Sequence, residues 1–169
     1  MLHPFKGIVP TVDRTVFLAP SADVIGDVVL GPYCSVWFNA TIRGDVNRIR
    51  IGSETNIQDN AVVHVTGVTG PATIGNRVTI GHGAIVHGCT VEDRVLIGMG
   101  SIILDQAVIG TGSIVGAGAL VTSRTVVPPG SLVYGNPARV IRPLTEDERA
   151  SIEVFADKYR QNIIAYQGG

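Results

Sequence analysis

Aromatic side chains are scarce in this sequence, at 5% of residues, although apolar residues reach 45%. A core built without large rings must be filled by small aliphatic side chains. Val and Ile dominate here, punctuated by 21 glycines. Cysteine is almost missing. Cys34 and Cys89 lie far apart and form no CxxC pair, so both are expected to be buried, reduced thiols in a cytoplasmic protein. No apolar run approaches the ~20 residues that a membrane span needs. The opening MLHPFKGIVP lacks the charged start and apolar stretch of a secretory leader. Charge is sparse as well: 16% of residues are charged, the net charge is −1, and there is no basic run. Neither nucleic acid nor an anionic membrane is therefore expected as a partner. The length, 169 residues, suits one structural domain.

What the sequence does have is a six-residue rhythm. Aliphatic residues, often followed by glycine, recur at Leu30, Val36 and Ile42, then at Ile51, Ile57 and Val63, then at Ile74, Ile80 and Val86. After one shortened step the rhythm runs through Val91, Ile97, Ile103, Ile109, Val115 and Val121. A helical period does not fit this, and a lone amphipathic strand gives no such beat. Short strands joined by tight turns and coiled into a prism do fit, with three hexapeptides to a coil of about 18 residues. The glycines are expected to permit turns that a Cβ would obstruct. Crossovers between parallel strands are normally right-handed. The hexapeptide pattern resembles the exception, and the hand is taken from that resemblance. The expected fold is an all-β left-handed parallel β-helix with a C-terminal α-helix. Residues 1–17 form an N-terminal cap, 18–135 the β-helix, and 136–169 a turn and the helix.

Within the cap, Phe5, Ile8, Val9, Val12, Val16 and Phe17 are expected to cover the open end of the core. Two interruptions, Asp45–Arg50 and Thr66–Ala72, hold more residues than the beat allows and read as bulging loops. The rhythm is expected to end between Thr122 and Gly130, where VVPPG forces an extended exit. YGNPAR (134–139) reads as a turn. Thr145 and Glu148 form a capping box that opens a helix. Ile152, Phe155, Ala156, Tyr159, Ile163 and Tyr166 fall on one face of that helix.

Three of the four histidines, His64, His82 and His87, fall close together in the middle of the chain. Neutral imidazole is the commonest protein metal ligand. Three histidines with an open fourth position make a catalytic zinc site, where the metal brings the pKa of a bound water to about 7. A histidine taken singly is more often structural or merely exposed; the cluster is what points to a metal. His64 and His82 are separated by one coil's length, which places them on adjacent coils. Arg43 and Asp45, two apart, can share one side of a strand, either as a structural or subunit-bridging ion pair or in a catalytic role. Gln58 and Asp59 cannot both point inward: one can line a site while the other pairs with Arg43. Asn56 turns the chain or fixes a neighbour. Cys89 reads as a buried small residue, not as a ligand or nucleophile.

With these motifs the chain resembles the γ-class carbonic anhydrase family over nearly its whole length. The residues that carry the resemblance are RGD (43–45), IGSETNIQD (51–59), His64, IGHGAIVHGC (80–89), GMGS (98–101) and GNPAR (135–139). The resemblance implies reversible hydration of CO₂ to bicarbonate by a homotrimer with metal at each subunit interface. Zinc is the expected metal, with iron or cobalt as alternatives. It also implies that His64 and His87 come from one subunit and His82 from its neighbour. By the same resemblance Arg43 and Asp45 form the interface ion pair, and Gln58 stands near the metal-bound solvent. Asp59 and Asn56 support it, and Tyr159 matches an active-site tyrosine on the C-terminal helix. The sequence departs from the family where proton-exporting carboxylates are found: Val46 follows Asp45, and the loop after His64 carries no acid. Slow turnover follows from that departure. The alternatives are a CoA-dependent hexapeptide acyltransferase and a metal-binding trimer without hydratase activity.

Overall fold

The computed structural model describes residues 1–168. The rhythmic aliphatics turn inward, and from Leu30 to Val121 none is more than 4% exposed. They sit mostly on strands of two or three residues that pair in parallel with their counterparts one coil on. Ile57 pairs with Ile80, Ile80 with Ile97, Ile97 with Val115, and Val115 with Val133. The result is a parallel β-helix of the hexapeptide-repeat type, followed by one C-terminal helix. One face is an eight-stranded sheet running from Phe17–Leu18 to Ala138–Pro143, whose last pairing is antiparallel. The other faces merge into a twelve-stranded sheet, because Asp23–Leu30 and Thr41–Ile51 each run round a corner.

The glycine after each aliphatic residue serves stacking more than turning. A Cβ on Gly98 would lie 2.5 Å from the Ala117 nitrogen and 2.7 Å from the Gly116 carbonyl carbon of the next coil. The left-handed backbone of each corner falls two residues later, at Tyr33, Glu54, Arg77, Gly83, Gly100 and Gly118. Several of these are not glycine, so the corner tolerates a side chain where the stack does not.

Three expectations need correction. The rhythm does not end near Thr122. Val127 and Val133 keep the six-residue step, are each 1% exposed, and pair with Ile109 and Val115. Pro128 and Pro129 fall in the corner between these strands, where a missing N–H removes no ladder bond. Next, Asp45–Arg50 is not a separate loop. It lies within the continuous strand Thr41–Ile51, and the step from Gly44 to Ile49 bulges opposite the step from Gly26 to Val28. Last, the lead-in segment is itself part of the stack: Leu2–His3 and Thr11–Val12 pair with Asp23–Leu30. Val12, Val16 and Phe17 pack on the core, but Ile8 and Val9 are 50% and 58% exposed. Residues 66–71 do leave the coil as a loop, closed on itself by paired hydrogen bonds between Thr66 and Gly70, whereas Ala72 is already buried in the strand Ala72–Ile74.

The helix, Glu146–Gln167, opens with the expected capping box. Its buried residues are Ile152, Ala156 and Ile163, whereas Phe155 and Tyr166 remain 41% and 56% exposed. The scarce aromatics gather at the seam between helix and prism. Trp37 stands 5.0 Å from Phe17, 5.3 Å from Tyr159 and 5.2 Å from Tyr166, centroid to centroid. Beside them Arg77 holds Glu54 on the prism and both Glu153 (2.7 Å) and Asp157 (2.8 Å) on the helix. Removing one guanidinium leaves these carboxylates facing each other, with Arg160 as the remaining cation on Glu54. Arg77→Ala is expected to cost about 1–2 kcal/mol, between the exposed and buried ion-pair ranges. Faster amide exchange confined to the helix would register the change, and unaltered helix protection would refute it. No helix among the described residues is long and apolar enough to cross a membrane.

Candidate metal centre

The strand Val62–His64 pairs with Ile85–His87 so that His64 lies directly opposite His87. The partner of His64 one coil on is thus His87, because the loop at residues 66–71 lengthens this coil. Counting one regular coil on from His64 reaches His82, which identifies adjacent coils but not facing positions. The rings of His64 and His87 stand 5.1 Å apart, and His64 Nδ1 lies 3.1 Å from His87 Nε2. His82 sits elsewhere, in the corner after Thr79–Ile80, 45% exposed at its side chain. Among the described residues of one chain, no three His, Cys, Asp or Glu side chains converge as a metal set.

Each of the three histidines meets an aspartate through one ring nitrogen. His64 Nε2 is 3.0 Å from Asp45 Oδ1, His82 Nδ1 is 2.8 Å from Asp59 Oδ2, and His87 Nδ1 is 3.1 Å from Asp105 Oδ2. An N–H donated to a carboxylate fixes the tautomer and leaves the opposite nitrogen with its lone pair. By that assignment the free nitrogens are Nδ1 of His64, Nε2 of His87 and Nε2 of His82. The first two face each other. Burial opposes ionisation of Asp45, but hydrogen bonds from His64 and Arg43 outweigh it and hold the carboxyl below its ordinary range. Burial likewise opposes ionisation of Asp105, and Thr66 with His87 outweighs it.

Arg43 donates to Asp45 of its own chain. Asp59 therefore does not pair with Arg43, as one expectation had it; it pairs with His82. Gln58 is the inward member, 5% exposed. Its Nε2 donates to Asn56 Oδ1 at 3.1 Å, and its Oε1 accepts from the His82 backbone N–H at 3.2 Å. Asn56 in turn donates to Thr79 Oγ1 at 2.9 Å. Tyr159 brings its hydroxyl to 3.4 Å from His82 Nε2. Burial, with a smaller contribution from Asp59, raises the pKa of this phenol, so it remains a protonated donor. A cavity of about 240 Å³ beside these groups is lined by Gln58, His82, Met99, Phe155 and Tyr159. The residues thus fall into two sets on one chain. Arg43, Asp45, His64 and His87 make one; Asn56, Gln58, Asp59, His82 and Tyr159 make the other.

Asp105 and Thr66 are absent from the residues that the sequence singles out. Asp105 stacks over Gly88, because this coil carries the shortened step, and the six-residue beat alone does not lead from His87 to it. Cys34 and Cys89 are buried, and burial pushes both thiols up to about 12, so neither offers a thiolate. The residue after Asp45, Val46, and Val68 in the loop after His64 are exposed valines, at 54% and 99%.

The hexapeptide family model described as "Bacterial transferase hexapeptide (six repeats)" matches residues 88–123. Gamma carbonic anhydrase 1, mitochondrial, from Arabidopsis thaliana is 50% identical over 155 residues, which cover 89% of this chain and 56% of that protein. The chain thus spans little more than half the length of the plant relative. A probable carbonic anhydrase from Methanocaldococcus jannaschii is 53% identical over 148 residues, covering 88% of this chain and 92% of that one. The crystal structure of a hexapeptide transferase family protein from Anaplasma phagocytophilum superposes with a TM-score of 0.94 at 43% identity, covering 98% and 97% of the two chains. With the repeat, the inward aliphatic columns and relatives of this likeness, the chain belongs to the γ-class carbonic anhydrase family.

Proposed function

We propose that this chain is one subunit of a metal-dependent hydratase that interconverts CO₂ and bicarbonate. Each metal is held by His64 and His87 of one subunit and His82 of the next, in a homotrimer. The observation that carries this reading is the set of three His–Asp pairs, each leaving one ring nitrogen free, two of them 3.1 Å apart. Two imidazole nitrogens on a tetrahedral zinc at ~2.0–2.1 Å stand about 3.3 Å apart, so the pair fits such an ion. Among the described residues of this chain no third ligand joins them, which is why the reading needs a neighbour. Exposed Ile85 and Met99, at 36% and 59%, are apolar surface that such a neighbour would cover.

Zinc fits a set of three imidazoles, and so do iron and cobalt, because nitrogen ligands with one open position select weakly. The metal supplies the Lewis acidity that makes water nucleophilic near neutral pH. The protein does the rest. Asp45 and Asp59 orient the imidazoles. Gln58, held at both ends of its amide, keeps one N–H and one lone pair to orient water or bicarbonate. The Tyr159 hydroxyl donates toward the same point. Met99 and Phe155 exclude bulk water from that wall. Gln58→Leu keeps the shape and removes both polar contacts, so it should lower kcat for hydration by about tenfold to a hundredfold, one orienting hydrogen bond's worth, with metal content unchanged. An equal kcat would remove Gln58 from the reaction.

Stopped-flow CO₂ hydration tests the whole reading, comparing zinc- or iron-loaded protein with chelator-stripped protein over a range of buffer concentrations. Hydration that needs metal and rises with buffer is the expected result, since external buffer replaces the missing shuttle acids. A fully metallated protein without hydration would retire the activity and leave a metal-binding role. Acyl transfer from CoA on the same scaffold is the competing reading, and the name of the matched repeat model favours it. It gives no reason for three His–Asp pairs, and retention on a CoA resin would revive it.

A further inference from the structure

We propose that Asp105 is a positioning residue for the metal centre: anchored by Thr66 and seated in a gap left by Gly70 and Gly88, it sets His87 so that Nε2 faces the metal. The inference rests on the metal reading above and adds to it a residue from outside the two sets.

Three observations carry it. Asp105 Oδ2 meets His87 Nδ1 at 3.1 Å, while its Oδ1 accepts from the Thr66 hydroxyl. Both carboxylate oxygens are thus engaged, one on the imidazole and one on the loop that follows His64. The backbone is also shaped around this carboxylate. A Cβ on Gly88 would lie 2.5 Å from Asp105 Oδ1, and one on Gly70 would lie 3.2 Å from it. Gly88 has φ +53°, so a side chain there would be strained as well as obstructed. Finally, Asp105 stacks over Gly88, the residue next to His87: the register sets Ile103 opposite Val86, and Gln106 N–H bonds to Gly88 O. Without the carboxylate, His87 is free to exchange tautomers and to turn about χ2, and the nitrogen opposite His64 is no longer specified. Loss of such an outer partner typically weakens metal binding by about 10–100-fold.

The experiment measures Zn²⁺ affinity by chelator competition and records the visible spectrum of the Co²⁺-substituted protein, for wild type, Asp105→Ala, Asp105→Asn, Gly88→Ala and Thr66→Val. Asp105→Ala and Gly88→Ala should bind Zn²⁺ about 10–100-fold more weakly and alter the Co²⁺ spectrum. Asp105→Asn keeps an acceptor oxygen and should recover part of the affinity. Thr66→Val should show a smaller loss in the same direction. Unchanged thermal melting of the metal-free variants separates positioning from unfolding; if Asp105→Ala does not fold, Asp105→Asn and Thr66→Val carry the test. Wild type binding metal while Asp105→Ala binds within twofold and keeps the wild-type Co²⁺ spectrum would overturn this inference alone. Wild type binding no metal would overturn the metal reading itself, and this inference with it.

Discussion

His82→Ala is expected to give a folded protein that retains no stoichiometric metal and hydrates CO₂ at least a hundredfold more slowly. Losing an outer partner of a ligand already costs about 10–100-fold in metal affinity, and losing a ligand itself costs more. The fold should survive. The imidazole of His82 meets Asp59 on the prism and Tyr159 on the helix and is itself half-exposed, and its backbone N–H to Gln58 is kept by alanine. His3 provides the internal control. It lies beside Asp23 at 2.6 Å on the first strand, and His3→Ala should leave metal content untouched. Metal analysis of the purified variants decides the matter. A full complement of metal in His82→Ala would sink the three-histidine assignment.

The second large effect is on stability. Ile97 is fully buried and stacked between Ile80 below and Val115 above. Ile97→Ala removes the filling of one coil and leaves a cavity that its neighbours cannot close, because their backbones are held at the strand spacing by parallel ladders. A loss of about 2–5 kcal/mol is expected. Coils touch only their neighbours, so the damage falls on two interfaces of a nearest-neighbour chain and should lower cooperativity as well as the midpoint. Urea unfolding at fixed protein concentration checks both, the concentration being held because assembly is linked to stability. A shift under about 1 kcal/mol would mean that the column relaxes inward.

The architecture was legible because one physical requirement repeats: every coil must send an aliphatic side chain inward at each face. Ile74, Ile80 and Val86 announce their burial by spacing alone. Candidate residues for the site could be named from the sequence, but their pairings could not be read in full. His64 meets His87 and not the position one regular coil on, because a loop outside the period changes the count between them. Asp59 reaches His82 across the same lengthened coil. Arg43 could be placed beside Asp45 from strand geometry, but two-residue spacing says nothing about Asp45 also reaching His64. The six-residue beat does not lead from His87 to Asp105, and a lone aspartate in a corner carries no motif. The continuation through Val127 and Val133 was masked by the double proline, a stop signal in most strands and a harmless corner here.

The loop at residues 66–71 has a wider consequence. Register is kept on both sides of it, Val63 opposite Val86 before and Ile74 opposite Val91 after, and the loop closes on itself between Thr66 and Gly70. Extra length there is invisible to the stack. A protein of this build can therefore lengthen or exchange one segment next to its chemistry without retuning its frame. On the hydratase reading, grafting a longer, acid-bearing segment between Thr66 and Ala72 is expected to speed proton export.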